Sequence, residues 1–249
     1  MCHISNTVAL PVKRILKFSH DLTRLVRFLK VVSWKLGRTR HIKTYLSSNS
    51  IKKLQLGSGS NLVMGWLNTD YIPSAGRIHL DASEPFPFPD NCFDYVFSEH
   101  SIEHIHYLEA KAMFEQCYRV LKSGGRIRIA TPNLDVYAGL LKENLSELER
   151  DCMSHFFNEW IAIGFQDAKN YKPISNTPSA AFVLNDIFYN YGHRFIYDYQ
   201  TLSELMREAG FVVTDRPVAG FSTDTNFSGL ETHCDRINSA ITLVVEARK

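Results

Sequence analysis

Lys53–Tyr71 reads KLQLGSGSNLVMGWLNTDY, and the fold is decided here. Lys53-Leu54-Gln55-Leu56 is a short apolar run of strand character. It breaks into Gly57-Ser58-Gly59-Ser60-Asn61, and a second short strand then runs to Asp70. Glycines at a strand end bring bare backbone N–H groups to the carboxyl edge of a sheet. An acid closing the next strand can hydrogen-bond a ribose diol beside them. The stretch therefore reads as a nucleoside-type binding site on a parallel sheet.

Working outward, short strands alternate with helical segments from Ile51 onward, the pattern of βαβ units. Trp66–Thr69 leads to Asp70, Arg77–Leu80 to Asp81, and Phe93–Phe97 to Ser98-Glu99-His100. Tyr107–Leu121 has helical apolar spacing and is closed by Ser123-Gly124-Gly125, where glycine suits the left-handed turn after a helix. Arg126–Ala130 is the fifth strand. Leu134–Phe165 is mostly helical in pattern, Ala168–Ser179 is a polar loop or lid, and Ala180–Tyr191 is an aromatic-rich helix. Asp198–Ala209 is a helix with Asp198 as N-cap and Gly210 as its stop. Phe211–Thr214 and Ala240–Glu246 are the last strands, separated by a long loop, Gly220–Asp235.

The 249 residues suit one α/β domain with a modest appendage. The net charge of +2 conceals an asymmetry. Residues 1–50 hold ten Lys/Arg against Asp21 alone, a net of +9, and residues 51–249 hold eighteen against twenty-five acids, a net of −7. No apolar run reaches the roughly 18 residues that span a bilayer, and with lysines and arginines interrupting the apolar residues near the N-terminus we expect no secretory signal. The five cysteines form no CxxC pair, so we expect reduced thiols in a cytosolic compartment, with no zinc site and no disulfide framework. Nothing in the body points to nucleic acid.

Within the basic arm, Ile15, Leu16, Leu22, Leu25, Val26, Leu29 and Val32 lie close to helical spacing among Lys13, Arg14, Lys17, Arg24, Arg27 and Lys30. A basic amphipathic helix over Val12–Leu36 can lie on an anionic membrane surface or dock an acidic protein. It can equally pack its apolar stripe on its own body, and a mitochondrial transit peptide is a third reading. Ser47-Ser48-Asn49-Ser50 is the expected linker.

Four consecutive strands thus end in polar groups: Gly57-Ser58-Gly59, Asp70, Asp81 and Ser98-Glu99-His100. The chain here resembles class I S-adenosylmethionine-dependent methyltransferases, especially the small "type 11" group. LQLGSGS resembles the family's first motif. Asp70 resembles the ribose acid, and His79-Leu80-Asp81-Ala82 before Pro85-Phe86-Pro87-Phe88-Pro89-Asp90 resembles the adenine-side stretch. His100-Ser101-Ile102-Glu103-His104-Ile105 resembles the fourth-strand motif, Tyr118–Gly125 the glycine turn before strand five, and Ala209-Gly210-Phe211 the entry to strand six.

The resemblance implies a Rossmann-like class I methyltransferase fold: a mostly parallel seven-stranded sheet with helices on both faces, plus the N-terminal basic arm. It divides the chain into an arm and linker at 1–50 and a methyltransferase domain at 51–249, with a variable acceptor-side insertion at 134–197. It implies S-adenosyl-L-methionine as cofactor, held by Gly57, Ser58, Gly59, Asp70, Tyr71, Asp81, Ala82, Glu99 and His100. It further implies O-methylation of a sugar, polysaccharide or other small-molecule hydroxyl, as in predicted methyltransferases of bacterial polysaccharide gene clusters. Rivals are a quinone- or lipid-type acceptor and a degenerate cofactor-binding domain acting as a partner protein. The expected compartment is the cytoplasm, with membrane association through the arm.

Two departures stand out. The position of the family's third glycine is Asn61, and a separation of thirteen positions from Gly57 to Asp70 is too short for a crossover helix with both turns. We expect a loop or single helical turn at Asn61–Gly65, with Trp66 against the cofactor region. A nicotinamide site would want G-x-G-x-x-G, and Leu62 occupies its third glycine position.

Transfer of a methyl group from a sulfonium needs a positioned nucleophile, and an alcohol acceptor is helped by a general base. The candidates are His100, His104, His106 and His193. His193, in the loop after the variable segment, is the first choice for the base, and His104 is a second catalytic candidate. Asp186 and Tyr189 are candidate acceptor contacts. His100, Glu103 and His104 have a spacing that can chelate a metal, but the resemblance explains Glu103-His104 without one, and no metal is expected.

Overall fold

The computed structural model describes residues 9–163, 177–232 and 234–249. The strands are β1 (Lys53–Leu56), β2 (Leu67–Asp70), β3 (Ile78–His79), β4 (Phe93–Glu99), β5 (Leu121–Pro132), β6 (Val212–Asp215) and β7 (Thr242–Arg248). They form one sheet in the order β3-β2-β1-β4-β5-β7-β6. The first five are mutually parallel, and β7 runs antiparallel to both β5 and β6. This is the Rossmann-like class I methyltransferase sheet that the resemblance implies.

The helices are α1 (Ala9–Ser48), α2 (Tyr107–Val120), α3 (Leu134–Gly139), α4 (Glu147–Ile163), α5 (Ala180–Tyr189), α6 (Tyr199–Glu208) and α7 (Arg236–Ile241), with a 3₁₀ turn at Ile102–His104. In α2 the buried positions Ala110, Met113, Phe114, Cys117 and Val120 follow helical spacing and form one stripe. That stripe meets Leu54, Leu56, Phe93, Val96, Ile127 and Ile129 of the sheet and Leu202, Leu205 and Met206 of α6 in the main core. A second cluster joins α3, α4, α5 and α7 through Tyr137, Phe156, Val183, Ile187 and Ile241. The Asp198 carboxylate caps α6 by accepting the Thr201 N–H at 2.6 Å. Among the described residues no helix is long and apolar enough to cross a membrane.

The link from β1 to β2 contains no helix. Buried side-chain amides hold it instead. Asn68 Nδ2 donates to Val63 O at 3.2 Å, the Val63 N–H donates to Asn68 Oδ1 at 3.1 Å, and Gln55 Nε2 donates to Asn61 O at 3.0 Å. Trp66 does not reach the glycine loop. It precedes β2, and so lies at the opposite end of the strand from Asp70, where it packs on Phe97 and Phe227. Phe227 and Leu230, from the loop before α7, complete this cluster with Val63 and Tyr95. A distant loop therefore supplies the apolar cover that the short link cannot.

Other boundaries differ for local reasons. Val120 passes directly into β5, and Gly124 bends within that strand at φ 76°, so the glycines do not cap the helix. The Gly124 N–H donates to Lys249 O, and the Lys249 N–H to Gly125 O, stitching the bend to the chain end. The expected long loop is followed by α7, whose N-cap Asp235 accepts the Ile237 and Asn238 N–H groups. The expected linker begins inside α1, which continues to Ser48. Ile42 is buried in the main core, and the Tyr45 hydroxyl lies 2.9 Å from both Lys53 O and Gly65 O, donating its one proton to either, while accepting the Lys53 N–H. Most of the expected loop at 168–179 falls outside the described residues.

Candidate active site

The glycine loop closes the carboxyl end of β1. Gly57 and Gly59 adopt φ 59° and 51°, a region that penalises any side chain. At Gly57 space forbids one as well, since a Cβ would fall 2.1 Å from Ser101 Oγ. The loop thus packs directly on the turn after β4. The Ser58 N–H donates to Thr69 O at 2.9 Å, and the Gly59 N–H donates to Asp70 Oδ2 at 2.8 Å. Asp70 Oδ1 accepts the Ile72 N–H at 3.0 Å. The buried Ser58 Oγ has no hydrogen-bond partner among the described residues.

Parallel pairing brings the next acids alongside. Asp70 is in register with His79 of β3, two residues before Asp81. Asp81 Oδ1 accepts the Ser83 N–H at 3.0 Å and the Ser83 hydroxyl at 2.6 Å. Ala82 packs against the edge of the main core. Tyr71 is 40% exposed and meets His79 edge-on at 5.7 Å.

At the end of β4, Glu99 ties three segments together. It accepts Asn61 Nδ2 at 3.1 Å and the Thr232 N–H at 2.9 Å. His100 follows with φ 44°, a left-handed conformation uncommon outside glycine and concentrated at functional turns. It is held by its N–H donating to Ala130 O at 2.9 Å and by Nδ1 meeting Glu103 Oε1 at 3.2 Å. Burial works against the charged imidazolium, but the hydrogen bond to Glu103 and the nearby carboxylates outweigh it and raise the His100 pKa.

Glu103 is fully buried, and Thr131 Oγ1 donates to its Oε2 at 3.0 Å. Burial opposes its ionisation, yet the hydrogen bond and charge of His100 hold its pKa below the ordinary carboxylate value. Its backbone carbonyl accepts the N–H groups of Arg194 and Phe195, at 2.6 and 3.2 Å. These bonds bring His193 against His104, with ring centroids 4.9 Å apart. His193 Nδ1 lies 2.5 Å from Ile187 O. A carbonyl only accepts, so Nδ1 carries the proton and Nε2 keeps its lone pair. Burial lowers the His193 pKa, against the Ile187 hydrogen bond and the Glu103 charge that would raise it.

Two cavities meet at His100. One, of about 160 Å³, is lined by Gly57, Ser58, Gly59, Ser60, Asn61, Glu99, His100 and Thr232. The other, of about 440 Å³, has His100, Glu103, His104 and His193 on one side and Tyr137, Phe156, Val183, Ile187 and Ile241 among its apolar lining. Of the residues expected to hold a cofactor, Gly57, Ser58, Gly59, Glu99 and His100 share the first cavity. Asp70, Tyr71, Asp81 and Ala82 lie on or after the neighbouring strands, outside it. His104 and His193 come together in the second.

Asp186 also lines that second cavity, whereas Tyr189 is 77% exposed and does not. His106 is the N-cap of α2, its N–H donating to Glu109, and lines neither. Sequence reading alone misses Thr232 and the apolar wall, because nothing local to those segments points to β4.

Comparison with known proteins bears on this site. A family model described as a methyltransferase domain matches residues 68–129, from β2 into β5. No curated protein matches the chain. Among solved structures, an S-adenosylmethionine-dependent methyltransferase from Mesorhizobium loti is 14% identical, covering 81% of this chain and 92% of that one, with a TM-score of 0.43. The 1,6-didemethyltoxoflavin-N1-methyltransferase of Burkholderia thailandensis, solved with 1,6-didemethyltoxoflavin and S-adenosylhomocysteine, is 14% identical over 99% and 93% of the two chains, with a TM-score of 0.45. A methyltransferase from Archaeoglobus fulgidus is 15% identical over 86% and 92%, at 0.43. Residues 68–129 thus match a methyltransferase domain and lie within a sheet of class I methyltransferase topology.

Proposed function

We propose that the protein is an S-adenosylmethionine-dependent methyltransferase acting on a hydroxyl of a small molecule, with sugars as the first acceptor class. The observation carrying this reading is the shared wall at His100 between the glycine-loop cavity and the cavity that holds His104 and His193.

The residues present fit the cofactor. Gly57 and Gly59 expose backbone, Ser58 Oγ is buried without a partner among the described residues, and Asp70 and Asp81 close neighbouring strands. Asp70 would hold the ribose hydroxyls and Tyr71, Asp81 and Ala82 the adenine side. Ser58, Glu99 and His100 would face the amino-acid end. Bound there, the cofactor would supply a sulfonium methyl group, whose transfer to an oxygen nucleophile forms the O–C bond, breaks the S–C bond and releases S-adenosylhomocysteine.

The chain's own part is to orient that oxygen, exclude water and take its proton. His193, with Nδ1 committed to Ile187 O, accepts the proton at Nε2, and His104 lies against it. Apolar Tyr137, Phe156, Val183, Ile187 and Ile241 limit water in the acceptor cavity. The same lining favours a second reading, in which the acceptor is a quinone- or lipid-type molecule.

Residues 12–36 are proposed to rest on an anionic membrane surface from the cytoplasmic side. The basic composition supports this, as do Val26, Leu29 and Leu36, which are exposed on α1.

Calorimetric titration tests the central reading. The wild type should bind S-adenosylmethionine and S-adenosylhomocysteine but not NADH, and Asp70→Ala should weaken the first two at least about tenfold, near the low end of the ~1.5–3 kcal/mol that a hydrogen bond to a charged group contributes. Absence of binding to either adenosyl ligand overturns it. A screen of nucleotide sugars, glycans and quinones with labelled cofactor then separates the acceptor classes. With an acceptor in hand, His193→Ala should lower turnover about 100-fold or more while leaving cofactor affinity near wild type.

A further inference from the structure

Glu103, His104 and His193 each offer a ligand atom, and those atoms all lie within 4.8 Å of one another. The sequence spacing draws attention to His100, Glu103 and His104. The fold assembles a different trio, with His193 brought in from the turn after α5 by the hydrogen bonds from Arg194 and Phe195 to Glu103 O.

Three features go beyond proximity. First, His193 Nδ1 donates to a backbone carbonyl, which turns the Nε2 lone pair outward, and this outer contact commonly orients a metal-ligating histidine. Second, Glu103 is a buried carboxylate whose two oxygens are steadied by His100 Nδ1 and Thr131 Oγ1. Each oxygen has a second lone pair beyond those contacts. Third, the three ligands leave one side open toward the cavity of about 440 Å³, so a fourth position is available to water or an acceptor oxygen.

We propose that Glu103, His104 and His193 form a binding site for a divalent cation of the zinc and cobalt class, with an open coordination position facing the acceptor cavity. Two imidazoles and one carboxylate suit such ions better than magnesium, which prefers oxygen ligands throughout. Zinc bonds of about 2.0–2.2 Å imply ligand atoms about 3.4 Å apart, so the trio must contract. His104 is exposed and has the freedom to swing inward.

The ion would occupy the His193 lone pair that takes the acceptor's proton, so His193 serves as base in the ion-free protein and as ligand in the ion-bound one. Cation binding does not depend on the methyl-transfer reading and can be tested without cofactor or acceptor.

The test uses the full chain stripped with chelator. Co²⁺ titration should produce the visible absorption of a four- or five-coordinate site, saturating at a single ion per chain. Zn²⁺ should displace it, and Mg²⁺ should not. His104→Ala and His193→Ala should each weaken binding at least about tenfold, the minimum expected when a ligand is lost, while His155→Ala, on α4 and outside the trio, keeps it. Circular dichroism checks the fold of each variant. Because Glu103→Gln disturbs a buried network, the decisive variant is His104→Ala, at an exposed position. Saturation well below one ion per chain, or undiminished binding in His104→Ala, overturns the proposal and leaves cofactor binding unaffected.

Discussion

The Thr232 N–H donates to the Glu99 carboxylate over 2.9 Å, joining residues 133 apart in the chain. The same carboxylate accepts from Asn61, whose Nδ2 also donates to Leu230 O at 3.1 Å. Glu99 is therefore the knot between the end of β4, the glycine loop and the loop before α7. Glu99→Ala should lower the unfolding free energy by about 1 kcal/mol, since it removes the part-buried hydrogen bonds from Asn61 Nδ2 and the Thr232 N–H. Urea denaturation measures the loss, and hydrogen exchange should show faster exchange at the Thr232 amide. Wild-type values in both would mean that water replaces the carboxylate without cost.

The two glycines of the loop should respond differently to alanine. At Gly57 the new Cβ meets Ser101 Oγ at 2.1 Å, while at Gly59 nothing lies within 4 Å. Both pay for positive φ, which costs about 1 kcal/mol for a non-glycine residue. Gly57→Ala should therefore destabilise by clearly more than Gly59→Ala, by about 2 kcal/mol or more in total. Adding Ser101→Gly should recover much of the difference. Equal effects of the two single variants in thermal unfolding would refute the steric account.

Asp94 predicts a pH dependence. Burial tends to raise its pKa, but the hydrogen bond and charge of Lys122 and the Lys52 N–H outweigh this and lower it below 3.8. A carboxylate whose folded pKa is depressed stabilises the fold above its unfolded pKa, and that contribution disappears as pH falls through the folded value. Asp94→Asn should thus be less stable than wild type at neutral pH, and the gap should narrow below about pH 4. Denaturant midpoints measured across that range decide it. A gap that stays constant with pH would assign the loss to packing alone.

The arm can be removed only as far as its contacts with the body allow. Trp34 meets the His79 ring at 5.5 Å, and Lys35 pairs with Glu84 at 2.5 Å, so the body begins by residue 34. Protein starting at residue 33 should keep cofactor affinity but lose most co-sedimentation with anionic vesicles, each basic residue near such a surface contributing about 1 kcal/mol. Equal sedimentation of both forms would assign the apolar stripe to contacts within the protein.

Sequence by itself determined the sheet. Period, glycine turns and acids at strand ends are local properties of covalent neighbours, so β1 to β4, α2, α6 and the Asp198 cap are legible without a structure. The missing crossover helix is legible too, because the twelve residues between Gly57 and Asp70 cannot form one with both its turns. What fills its place is not. Phe227 and Leu230 cover the face beside Trp66 because an apolar surface left bare by the short link must be buried by something, and no local pattern says by which segment. The histidine pair has the same origin. His104 and His193 meet only because Arg194 and Phe195 hydrogen-bond to Glu103 O, a partnership between backbone groups that every residue carries and no side-chain code announces. The tertiary structure alone decided which histidine stands beside Glu103 and which cavity they share.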